Sequence, residues 1–107
     1  MPFALEIKAI DFRYEPGNIS INQGEEYEFT LKNDGKDEHD INIVSRDEFY
    51  KNNNAENFHR EGNFHIYAKA GESVSAKINS LPAGNYIFYC TIPGHKEAGM
   101  IGEIKVI

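Results

Sequence analysis

Apolar positions recur with a period of two along most of the chain, the spacing of strands with one buried face. Leu5, Ile7 and Ala9 alternate with Glu6, Lys8 and Ile10, and Ile19 and Ile21 alternate with Ser20 and Asn22. After the turn Gln23-Gly24-Glu25, the residues Tyr27, Phe29 and Leu31 alternate with Glu26, Glu28, Thr30 and Lys32 until Asn33-Asp34-Gly35 closes the strand. Further strands are expected at about 41–44, 64–68, 73–79, 85–91 and 101–106, with Gly71 and the corner Leu81-Pro82-Ala83-Gly84 as punctuation. Seven to eight short strands joined by glycine turns predict an all-β fold, a sandwich or barrel. The irregular part is 45–63. Ser45-Arg46-Asp47-Glu48 has the spacing of a capping box, so Phe49-Tyr50 can seat a short helix before Asn52-Asn53-Asn54 ends it; a polar loop is expected to follow. Tyr86, two residues after Gly84, fits either a tyrosine corner or an ordinary core tyrosine.

A chain of 107 residues is expected to form one domain, with no room for a substrate domain beside a cofactor domain. The formal charge of −6 comes without any basic run, which argues against nucleic acid or an anionic membrane and leaves room for a basic or neutral partner. No apolar stretch is long enough to span a membrane, and no basic n-region precedes an apolar run at Met1-Pro2-Phe3-Ala4-Leu5. The sequence thus reads as a cytosolic protein or as a mature, excised form.

The single cysteine, Cys90, forbids an internal disulfide and any multi-cysteine zinc site, so its thiol is a packing residue, a nucleophile or a metal ligand. Its neighbours favour the last. In Cys90-Thr91-Ile92-Pro93-Gly94-His95-Lys96-Glu97-Ala98-Gly99-Met100, a thiol, an imidazole and a thioether recur at five-residue intervals. These donors suit copper moving between Cu(I) and Cu(II), since sulfur favours the reduced ion and imidazole accepts both. One more imidazole completes a His₂Cys set with a weak axial Met, and His39, at the head of Ile41-Asn42-Ile43-Val44, can supply it. Pro93-Gly94 forces a tight turn between two of the ligands and holds the loop rigid. The predicted metal site is therefore His39, Cys90, His95 and Met100.

The run from Tyr86 to Ile104 resembles the C-terminal ligand loop of the cupredoxins, the type 1 blue copper proteins. Four residues separate Cys90 from His95 and four separate His95 from Met100, which is most similar to the rusticyanin, auracyanin and sulfocyanin type. Weaker similarity covers most of the chain, through the Gly-Glu turn, the alternating strand, Asn33 and His39. The resemblance implies a Greek-key sandwich, one copper per chain and a soluble one-electron carrier rather than an enzyme. It also implies a periplasmic or other extracytoplasmic setting, a monomer, and redox partner proteins that dock near His95. Asp40 departs from the family, in which Ser or Asn commonly follows the first histidine; its backbone N–H is expected to bond the Cys90 sulfur, and its side chain to reach Thr91.

His95 lies in a loop, so one ring edge is expected to face solvent beside a small apolar rim of Ile92, Pro93, Ala98 and Ile101. Tyr89 should point away from Cys90 and reads as a plain exposed aromatic rather than a lateral electron entry. His59 and His65, with Glu56 and Glu61, read as solvated groups rather than a second metal site, and Asp34, Asp37, Glu38 and Asp40 as a solvated acidic turn. Other readings of the copper site are a storage or delivery module, or a stand-alone relative of the copper domain of a multicopper oxidase or nitrite reductase. A thiol enzyme built on Cys90 and a histidine is unattractive, because it gives Met100 no role.

Overall fold

The computed structural model describes residues 3–51, 64–78 and 81–107. Its strands are β1 (Phe3–Ile10), β2 (Arg13–Glu15), β3 (Asn18–Ile21), β4 (Tyr27–Asn33), β5 (His39–Ser45), β6 (Phe64–Ala68), β7 (Ser73–Ile78), β8 (Gly84–Tyr89) and β9 (Ile101–Val106), with a single-turn helix α1 (Arg46–Lys51) after β5. They form two sheets, ordered β2-β1-β4-β7 and β3-β9-β8-β5-β6. Both sheets are mixed: β1 runs parallel to β4 and β3 parallel to β9, while the other pairs are antiparallel. The result is the all-β sandwich expected, with nine strands among the described residues instead of seven to eight. The additional strand is β2, whose one buried residue, Tyr14, is too short a signal to show as alternation.

Period-two patterning places the core between the sheets. In β4, Tyr27, Phe29, Leu31 and Asn33 are buried and the residues between them are exposed or half-buried. Ile7 and Ala9 join them from β1, and Ile41, Ile43, Phe88, Ile104 and Val106 come from the facing sheet. β5 departs from alternation, with His39 through Val44 all buried. Its second face is covered because Phe49 of α1 packs there with Val44, Ile87 and Tyr89 in a smaller apolar cluster. Ser45 caps α1 as its spacing predicted, accepting the Glu48 backbone N–H at 3.2 Å.

Two details hold the end of the sandwich that carries the chemistry. The Tyr86 hydroxyl donates to the Pro82 carbonyl at 2.8 Å, tying the corner before β8, so this buried residue fills core and fastens the corner at once. β8 ends at Tyr89 rather than at residue 91, because Cys90 and Thr91 spend their N–H groups elsewhere: Cys90 donates to the Met100 carbonyl and Thr91 to Asp40. β5 in turn begins at His39, two residues earlier than its apolar run suggests, since His39 pairs with Ala68 of β6.

Candidate metal centre

His39 opens β5 at the end of a braced loop. The buried Asn33 side chain accepts the Gly35 N–H at 2.8 Å and donates to the carbonyls of Asp37 at 2.9 Å and Ala68 at 3.1 Å. The loop's path to His39 is therefore set by one amide. Opposite it, the segment between β8 and β9 folds on itself. His95 N–H donates to Ile92 at 3.1 Å, Met100 N–H to His95 at 3.1 Å, and Cys90 N–H to Met100 at 3.2 Å, which puts the two ends of the loop side by side. Gly94 has φ +86° and Gly99 φ +115°, a region closed to most side chains, so the glycines after Pro93 and before Met100 make the reversals possible.

These two loops bring His39, Cys90 and His95 together, all three buried, with one potential ligand atom from each lying within 4.8 Å of the others. His39 Nδ1 and His95 Nδ1 are 3.2 Å apart, and Cys90 Sγ is 3.4 Å from His95 Nδ1. The opening between them matches one first-row metal ion, whose bonds to nitrogen and thiolate run about 2.0–2.3 Å. Two imidazoles and a thiol are also the donors copper prefers over hard cations. Met100 is fully buried in the same core as Cys90. His95 is only 8% exposed, a narrower opening than a loop position suggested, because the Phe12 ring lies 4.8 Å from its centroid.

Burial pushes the Cys90 thiol up to about 12, against a partial counter-effect from the backbone N–H groups of Asp40 and Ile92 that bond the sulfur. Without a cation, then, the cysteine stays protonated; a metal must supply the charge that releases the proton. The bond from the Asp40 N–H is the one anticipated. The Asp40 side chain also reaches Thr91, accepting its N–H at 2.6 Å and its hydroxyl. Asp40 is 2% exposed, so it does not belong to a solvated acidic turn.

Other expectations need correction. His65 is exposed, yet its Nε2 lies 2.8 Å from Asp40 Oδ2, so it is an outer member of the Asp40 network and not merely solvated. Tyr89 does face away from Cys90, but it is 1% exposed: Asn42 Nδ2 donates to its hydroxyl at 3.0 Å, and Lys96 Nζ sits 5.9 Å from its ring centre. It is a covered aromatic, because α1 and Lys96 close over that face. His59, Glu56 and Glu61 lie outside the described residues. Asp37 Oδ2 stands 3.7 Å from His95 Nε2, while Asp34 pairs at the surface with Lys8, also at 3.7 Å.

Three residues around the site escaped sequence reasoning, all from the β1–β2 region. Asp11 Oδ1 lies 2.6 Å from His39 Nε2. Backbone hydrogen bonding from Lys36 and the bond with His39 hold its carboxyl below the usual carboxylate range. Phe12 covers both imidazoles, with its ring also 6.2 Å from that of His39. Tyr14 donates its hydroxyl to the Asp40 carbonyl, and burial, then the nearby Cys90, keeps that hydroxyl protonated well past its ordinary range. No ligand-like spacing links these residues to the cysteine loop, and only the sandwich brings them near.

A cupredoxin-type sandwich holding a buried His-Cys-His cluster at one end defines a copper protein, and the sequence agrees. Residues 2–107 match the family of copper binding proteins of plastocyanin and azurin, so this chain belongs to that family. Its members are electron carriers rather than enzymes. The chain is 30% identical over 99 residues to the "copper-resistant cuproprotein CopI" of Rubrivivax gelatinosus, covering 88% of this chain and 59% of that protein's length. Among solved structures, it is similar to dithionite-reduced auracyanin from the photosynthetic bacterium Roseiflexus castenholzii, with a TM-score of 0.83 and 22% identity over 97% of this chain and 96% of the other. Auracyanin A, described as a "blue" copper protein of Chloroflexus aurantiacus, matches with a TM-score of 0.79 and 22% identity over the whole of both chains. None of the described helices is long and apolar enough to cross a membrane.

Proposed function

We propose that this protein is a monomeric one-electron carrier whose copper is held by His39, Cys90 and His95, with Met100 as the weak fourth ligand. The observation that carries the reading is the convergence of two imidazole nitrogens and one thiol sulfur, 3.2 and 3.4 Å apart at their closest, in a pocket closed to bulk water. When bound there, copper supplies a Cu(I)/Cu(II) couple with intense thiolate charge transfer. The chain does the rest. The loop from Cys90 to Met100 is cross-braced by its own backbone, and His39 by Asn33 and Asp11, so the donors have little freedom to follow the different preferences of the two oxidation states. His95 is the route out, since its ring edge is the only part of the three-residue cluster with measurable exposure beyond 1%. Around it, Phe12 and Ile101 are each 39% exposed, and Pro93 and Ala98 are exposed with Ile92 half-buried beside them. This rim suits brief docking of a redox partner in a small interface. An extracytoplasmic location goes with this role.

A second reading, copper handling in resistance, draws support from the likeness to CopI. Loading the protein with Cu(II) and recording its visible spectrum separates the two. An intense charge-transfer band that ascorbate bleaches and a redox partner or ferricyanide restores supports the carrier; a colourless complex that gives up its metal to weak chelators favours handling.

A further inference from the structure

Resting on the copper reading above, we propose that Asp11 is the positioning residue of the centre: it fixes which nitrogen of His39 faces the metal and, by its charge, biases the couple toward Cu(II). A carboxylate only accepts hydrogen bonds, so at 2.6 Å from His39 Nε2 it places the proton of the neutral imidazole there and leaves the lone pair on Nδ1. Nδ1 is the atom that meets His95 Nδ1 and the Cys90 side.

The surroundings are shaped to keep that carboxylate in place. Lys36 N–H donates to Oδ2 at 2.9 Å and Asp37 N–H to Oδ1 at 3.4 Å, so the loop before His39 holds both oxygens of the group. Gly35 is what allows the approach: a Cβ there would stand 2.2 Å from Asp11 Oδ1 and 2.9 Å from His39 Nε2. The same Gly35 is pinned by Asn33. His39 is fully buried and the Asp11 side chain 24% exposed, so solvent reaches the pair only from the carboxylate side. An imidazole that donates to an anion is a stronger σ-donor and carries partial negative charge, and both effects favour the more positive metal state. Asp37, by contrast, is exposed and 3.7 Å from His95, too loose for the same service.

The test uses Asp11→Asn, which keeps an acceptor oxygen and removes the charge, Asp11→Ala, which removes both, and Asp34→Asn as a surface-charge control on the neighbouring loop before His39. Asp11→Asn should retain the charge-transfer band and lose about tenfold in its preference for Cu(II) over Cu(I), the lower end of outer-shell effects and equal to a potential rise of about 59 mV. Asp34→Asn should leave the potential unchanged. In the metal-free protein, nitrogen NMR should find the single Nε2–H tautomer of His39 in wild type and Asp11→Asn, and a mixture in Asp11→Ala. An unmoved potential in Asp11→Asn, an equal rise in Asp34→Asn, or an unaltered tautomer in Asp11→Ala overturns the proposal. A wild-type protein with no charge-transfer band overturns the copper reading instead, while the tautomer measurement still judges the hold of Asp11 on His39.

Discussion

Asp40 accepts the backbone N–H of Thr91 at 2.6 Å, so the residue after His39 is fastened to the residue after Cys90. This contact replaces the ladder hydrogen bonds that β5 and β8 stop making beyond Asn42 and Tyr89, and it carries the sheet's rigidity one step further, to the metal end. Tyr14 below and His65 outside complete the acceptor capacity of the same residue.

Removing the Asp40 carboxylate should therefore cost stability before any metal is considered. Asp40→Ala leaves the Thr91 N–H unpaired in a half-buried place and should lower the unfolding free energy of the metal-free protein by about 1–3 kcal/mol. Thr91→Val keeps the backbone bond and should cost less. Urea denaturation of both variants checks the order; equal losses would mean that the hydroxyl, not the N–H, carries the tie.

Cys90→Ser should abolish the charge-transfer colour and preserve the fold, because the core of Ile7, Phe29, Leu31, Ile41 and Phe88 is assembled without it. The two histidine variants should differ. His95→Ala opens under Phe12 at the surface and should regain colour with added imidazole, whereas His39→Ala, at 0% exposure, should respond poorly. A better rescue of His39→Ala would reverse the assignment of the accessible ligand.

Met100 lies in a dry setting, so its replacements should act through donor strength and polarity. Met100→Gln introduces an oxygen donor that favours Cu(II) and should lower the potential; Met100→Leu removes the donor and should raise it. Cyclic voltammetry of the three proteins reads the ordering, and identical potentials would show that Met100 is not a ligand.

Metal-free protein should lose stability as pH rises through the alkaline range. In the folded state burial holds Cys90 up at about 12 from an ordinary 9.0, and it also raises Tyr14 and Tyr89 above their ordinary 10.0. The unfolded chain therefore releases these protons first. Above pH 9 the folded state binds more protons than the unfolded state, and the unfolding free energy falls with pH until the folded groups ionise as well. Below the ordinary values the contribution is fully present. Denaturation at a series of pH values should show the decline starting near the ordinary thiol value, and Cys90→Ala should delay it to the tyrosine range; a flat profile would contradict the buried, protonated thiol.

Gly102 pairs directly with Phe88 across β8 and β9, and a Cβ there would lie 2.1 Å from Phe88 Cζ. The ring occupies the space that a side chain would need. Phe88 is fully buried and also packs on Tyr14 at 5.0 Å, so it has little room to retreat. Gly102→Ala should destabilise the protein by about 1–3 kcal/mol through overpacking, measurable as a lower midpoint in urea. Full wild-type stability would mean that Phe88 has another rotamer within reach.

Much of this protein was legible in order along the chain. Period-two alternation in Tyr27–Leu31 specifies a half-buried strand whatever lies beside it, and Cys90, His95 and Met100 with Pro93-Gly94 form a local unit whose spacing alone marks the candidate donors and the turns. The short capped helix at Arg46–Lys51 and the corner at Tyr86 belong to the same class, because the groups that bond are within four residues of each other. Tertiary structure alone decided the rest. Asp11 and His39 are 28 positions apart and Asp40 and Thr91 are 51 apart, and no periodicity records which side chains two packed sheets will press together. The same reason explains the misjudged burial of Asp40 and Tyr89. Both point from the outer face of a strand, and both are enclosed there by remote chain: Tyr89 by Phe49 of α1 and by Lys96, and Asp40 by Thr91 and by His65 of β6. A strand's sequence states which residues share a side; what closes over that side depends on chain remote from it.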